Sequence, residues 1–89
     1  LSRFKLFLKP SAIKDLRVIP FEFHRLIKSR IEKLGEEPLP PDCKKLSDSE
    51  SLFRVRQGKY RIIYTIDFAT YTVSVLAIDH RREAYRSLN

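Results

Sequence analysis

The chain opens on a two-residue alternation. From Arg3 to Leu8, Phe4, Leu6 and Leu8 point one way and Arg3, Lys5 and Phe7 the other, which predicts a strand with one strongly apolar face. Pro10-Ser11 stops it, and Ser11 is expected to N-cap a short helix carrying Ile13 and Leu16, with Pro20 marking the break before a second helix. There Phe23, Leu26, Ile27, Ile31 and Leu34 recur at helical spacing with Arg25, Lys28, Arg30 and Lys33 between them, and Gly35 is placed to end the run. The segment 36–51 holds Pro38, Pro40 and Pro41 and reads as a long surface connection. After it the period returns to two. Leu52 to Arg56, Lys59 to Asp67 and Thr72 to Asp79 predict a three-strand antiparallel meander, broken at Gln57-Gly58 and from Phe68 to Tyr71. The last strand, with Val73, Val75, Leu76, Ala77 and Ile78, is apolar on both faces and is expected to be covered on both, by the helices and by the tail. The expected fold class is α+β, one domain over 1–89, with an antiparallel sheet of the N-terminal strand and the meander against an N-terminal helical hairpin.

Composition narrows the partners. With 89 residues, 43% hydrophobic and 33% charged, the chain has room for one core and is not disordered. A net charge of +7 attracts nucleic acid, an anionic membrane or an acidic protein. Cys43 is the only cysteine, so neither an internal disulfide nor a zinc cluster is expected, and a reducing cytoplasm fits. No stretch reaches the roughly 18 apolar residues of a membrane span, and the start lacks the apolar run of a signal peptide. A cytoplasmic protein with no membrane partner is expected. No methionine is present, so a native first residue is expected to be missing.

Strand alternation then places cations. Phe53 and Val55 face the core, so Arg54 and Arg56 face away, and a core set of Tyr60, Ile62, Tyr64 and Ile66 turns Arg61 to the same outer side, with Lys59 at its edge. Phe53 to Arg61 thus carries four cations and no acid, as a phosphate-tracking surface would. The plain alternative is a solvated outer face, but such faces mix signs, and arginine suits bidentate phosphate contacts.

The tail, Asp79-His80-Arg81-Arg82-Glu83-Ala84-Tyr85-Arg86, supplies candidate acid/base groups in His80 and Tyr85, beside further cations in Arg81 and Arg82. Each has a structural alternative: His80 as a strand-end residue bonded to backbone or Asp79, Tyr85 as packing on the sheet. His24 reads as a surface residue. With only Gly35 and Gly58 there is no phosphate-binding glycine loop, no serine elbow lies near His80, and no acid pair has metal or glycosidase spacing. No cofactor or metal is expected.

The stretch Leu52-Phe53-Arg54-Val55-Arg56-Gln57-Gly58-Lys59-Tyr60-Arg61-Ile62-Ile63-Tyr64, with the ending His80-Arg81-Arg82-Glu83-Ala84-Tyr85-Arg86, resembles the RelE/ParE toxin superfamily, whose members share a "YRVRxGxYRIIY" hairpin and a "GHRxxVY" ending. The resemblance implies the RelE fold and a toxin of a toxin–antitoxin pair. RelE-like members cut mRNA in the ribosomal A site. In that family the basic hairpin residues and the terminal arginine and tyrosine act at the scissile phosphate, which implies such roles at Arg54, Arg56, Arg61, Arg81 and Tyr85. With the groups read from the sequence itself, the expected catalytic set is Arg61, His80, Arg81 and Tyr85, and the expected RNA-binding set is Arg54, Arg56, Lys59 and Arg82. The implied partners are a cognate antitoxin and mRNA on the ribosome. Three positions depart from the pattern: Arg54 and Arg56 stand where the best-known member has lysines, and Asp79 stands in place of a glycine. The alternatives are a ParE-type toxin that poisons DNA gyrase without cutting RNA, or a basic binding module without catalysis.

Overall fold

A computed structural model of the chain describes residues 3–47 and 51–80. The elements are β1 (Lys5–Leu8), α1 (Pro10–Val18), a 3₁₀ turn (Phe21–Phe23), α2 (His24–Glu36), β2 (Lys44–Ser47), β3 (Leu52–Gln57), β4 (Tyr60–Asp67) and β5 (Thr72–His80). They form an α+β fold with a five-stranded sheet in the order β1-β5-β4-β3-β2. The meander is antiparallel as expected, but β1 lies parallel to β5, so the sheet is mixed.

One face of the sheet takes the helices. Val55, Ile62, Tyr64, Val73 and Val75 lose all solvent contact there, against Ala12 of α1 and Ile27, Ile31 and Leu34 of α2. Each such side chain contributes about 1.5–3 kcal/mol, so this face carries most of the folding energy.

Several local expectations need correction. Ser11 does not cap α1. The cap position is Lys9, Pro10 takes the first helical turn, and the Ser11 hydroxyl instead donates to the Leu76 carbonyl at 2.6 Å. Gly35 lies inside α2 and not beyond its end. Its use is close approach, because a Cβ there would meet the Phe4 carbonyl oxygen at 3.2 Å, and the Gly35 carbonyl accepts the Phe4 amide at 2.8 Å. His24 is half-buried, with Nε2–H donating to the Ile19 carbonyl at 2.8 Å, which closes the end of α1.

The long connection contains β2, which pairs with β3. It is anchored by the Tyr64 hydroxyl, which donates to the Pro38 carbonyl at 2.7 Å, and by an Arg30–Asp42 ion pair that holds the Asp42 carboxyl below its ordinary range. Burial, with Cys43 close by, pushes the Tyr64 hydroxyl well above the usual tyrosine value.

Candidate nucleic-acid interface

The β3–β4 hairpin closes on Gly58 and Lys59, with Gln57 opposite Tyr60. Gly58 takes φ +61 at the first turn position, where type II′ hairpins place glycine. The turn is therefore one residue later than Gln57-Gly58, and Lys59 sits exposed at its tip instead of in the strand.

That register builds two rows across the sheet's outer face. In one, Arg56 lies opposite Arg61 and Arg61 opposite Asp79; in the next, Lys44 lies opposite Arg54 and Arg54 opposite Ile63. The structure thus brings Arg54, Arg56 and Arg61 onto one face, as alternation predicted, and adds Lys44, which the sequence reading missed because it lay in an assumed loop. The only hint was the pair Lys44-Lys45 in the connection that leads to the meander.

The face is not a solvated one. Arg56 and Lys44 are exposed, but Arg54 is only 8% and Arg61 only 6% accessible. Both sit mid-row. Arg54, Arg61, Asp79 and His80 are all engaged in interactions. A guanidinium held this far from water carries a desolvation cost of several kcal/mol unless an anion or dense hydrogen bonding offsets it. Such a group is pre-oriented and weakly hydrated, which suits it to gripping a phosphate without first shedding a water shell.

The end of β5 separates the remaining candidates. Opposite residues share a face, so Asp79 joins Arg61 on the outer side while His80 joins Tyr60 on the helix side. The ring contact agrees: His80 meets Tyr60 edge-on, with centroids 5.5 Å apart at 87°, and Tyr60 in turn meets Phe23 at 5.5 Å. His80 lines a cleft of about 210 Å³ with Asp15, Val18, Ile19, Tyr60, Ile78 and Asp79. The sheet therefore stands between the His80 ring and the arginines. Arg81, Arg82 and Tyr85 lie outside the described residues.

This face flips partway along β5. Val75 pairs with Tyr64 and Ala77 with Ile63, leaving Leu76 as a bulge. Before it Val73 and Val75 face the helices; after it Ile78 and His80 do. The strand thus appears apolar on both faces in sequence because its inward positions change parity. Among the described residues no group of three or more His, Cys, Asp or Glu could hold a metal ion, and no helix is long and apolar enough to cross a membrane.

Comparison with known proteins matches this architecture. The family model described as "ParE toxin of type II toxin-antitoxin system, parDE" fits residues 6–85. The RelE1 protein of Methanocaldococcus jannaschii is 30% identical over 96% of this chain and 98% of its own length. Toxin RelG of Mycobacterium tuberculosis is 32% identical over 85% and 88%. In three dimensions, a chain of the toxin–antitoxin complex RelBE2 from Mycobacterium tuberculosis superposes with a TM-score of 0.80 at 29% identity, covering 91% of this chain and 94% of that one. With the family model spanning nearly the whole chain and a two-helix, five-strand fold shared with these neighbours, the chain belongs to the RelE/ParE family of toxins of type II toxin–antitoxin systems.

Proposed function

We propose that this toxin is a ribosome-dependent mRNA endoribonuclease of the RelE kind, acting in the cytoplasm. The observation that carries the reading is the outer face, where Lys44, Arg54, Arg56 and Arg61 gather with Asp79 as their one acidic neighbour in the two rows. Such a surface is built for a polyanion whose phosphates must be held in one geometry.

The chemistry balances without a metal. A base removes the ribose 2′-hydroxyl proton, the 2′-oxygen attacks the adjacent phosphorus, and the bond to the 5′-oxygen breaks to leave a 2′,3′-cyclic phosphate. The arginines stabilise charge on the phosphorane-like transition state. Of the two candidate bases we take Tyr85, because the His80 ring pairs with Tyr60 on the helix side of the sheet. Arg81 presents N–H donors to the departing oxygen, which collects its proton from water, because an arginine stays protonated. Arg82 and Lys59 contact flanking phosphates.

Losing one transition-state contact costs about 10²–10³ in rate. Arg61→Ala and Tyr85→Phe should each lower cleavage of mRNA on programmed ribosomes by that factor while the fold stays intact. Full activity in both variants would sink the assignment. A second reading is favoured by the matched description itself, which is that of a ParE toxin: the chain poisons DNA gyrase. Mapping mRNA ends and scoring gyrase-dependent DNA breaks in expressing cells separates the two readings, and neither outcome would leave a binding module.

A cognate antitoxin is the expected protein partner, since structural neighbours include RelBE complexes. Its acidic, extended segment would complement the +7 charge and cover the arginine face.

A further inference from the structure

The bulge at Leu76 decides which residues at the end of β5 face the arginines. Without it, strict alternation from Val75 would turn Asp79 toward the helices and His80 toward Arg61. A bulge takes its residue out of the ladder, and the register beyond it depends on what holds the backbone groups so freed.

The pin is on α1. The β1–β5 ladder ends where the Lys9 amide donates to the Val75 carbonyl at 2.9 Å. Beyond that point the bulge has turned a new set of β5 backbone groups toward this edge, and α1 meets them with side chains. Ser11 donates to the Leu76 carbonyl at 2.6 Å, and the Asp15 Oδ2 accepts the Ile78 amide at 3.0 Å. Ser11 and Asp15 are one helical turn apart, so they sit on one face of α1 and replace two rungs of the missing strand.

We infer that Ser11 and Asp15 are positioning residues for RNA cleavage: they lock the register of β5 and thereby place Asp79 opposite Arg61 on the arginine face. The inference rests on the endoribonuclease reading for its kinetic consequence, but the register itself can be read without any substrate.

Two measurements test it. In the free toxin, a nuclear Overhauser contact between the His80 and Tyr60 rings reports the locked register directly, and exchange of the Ile78 amide reports the Asp15 bond. Asp15→Ala should weaken the first and speed the second, while Asp15→Asn, whose amide oxygen still accepts, should keep both. Ring contact and amide protection unchanged in Asp15→Ala would overturn the lock.

On programmed ribosomes, Asp15→Ala should lower kcat by roughly 10²-fold, the cost of a misplacement near 1 Å, with KM little changed. Asp15→Asn should recover most of the rate. Ile31→Val, a core change outside the site that also lowers Tm, should keep it. An equal kcat loss in Ile31→Val, or failure of Asp15→Asn to recover, would reduce the lock to general stability and overturn the positioning role. Absence of cleavage by the unsubstituted toxin would overturn the endoribonuclease reading instead, leaving the ring contact and amide exchange to decide the lock.

Discussion

The two faces of the sheet are built from alternate residues of the same strands, yet they hide opposite chemistries. On the helix side, Ile62 and Val55 are fully buried among hydrocarbon. One residue away on the other side, Arg61 and Arg54 are nearly as inaccessible but charged. The first arrangement lowers the free energy of the fold, and the second raises it or at best breaks even. A protein this small has little stability to spare, of order 5–15 kcal/mol. The proposed RNA-binding role would account for guanidiniums standing where apolar side chains would stabilise more.

That contrast can be broken or sharpened by substitution. Ile62→Ala should cost about 2–5 kcal/mol by urea unfolding, because it opens a cavity in the helix-side core. Arg61→Met should leave the unfolding midpoint within a small margin and remove about 10²–10³ in cleavage rate. Comparable losses of stability in both variants would erase the distinction between the faces. Alkaline titration, compared between the unsubstituted chain and Tyr64→Phe, probes the inner face. Tyr64 holds its proton in the fold above the value of 10.0 at which the unfolded chain releases it, so its contribution is complete below pH 10 and is lost as pH rises beyond it. Unfolding free energy should fall by about 1.4 kcal/mol per pH unit there, and Tyr64→Phe should remove that slope. The smallest effect is expected at the hairpin tip. Gly58→Ala meets no atom within 4 Å, so its cost is the backbone penalty at φ +61 alone, about 1–2 kcal/mol. It should lower Tm modestly and perturb Arg56 and Arg61 together.

The parts of this design that were legible in sequence are those encoded by local periodicity. The helices declare themselves through Ile27, Ile31 and Leu34, and the meander through the alternation around Phe53, Val55, Tyr60 and Ile62. Alternation also sufficed to gather Arg54, Arg56 and Arg61 on one face. What was hidden depends on tertiary partners. β2 reads Lys44-Lys45-Leu46-Ser47, with no apolar rhythm of its own, and becomes a strand because β3 offers an edge. The Leu76 bulge has no composition signal, since it exists through α1 side chains far away in sequence. For that reason His80 was grouped with the arginines when its ring lies behind the sheet. Burial of Arg54 and Arg61 was equally invisible, because a charged residue on an outward position defaults to solvent.

The parallel pairing of β1 with β5 has a consequence in time. Leu6 and Leu8 find their partners in Val73 and Val75, far apart in the chain, and the last of the described strands to be synthesised is seated between β1 and β4. Contacts of such sequence separation form late and slowly. The nascent chain therefore cannot close its sheet until β5 has emerged, and the row that joins Arg61 to Asp79 cannot exist before then.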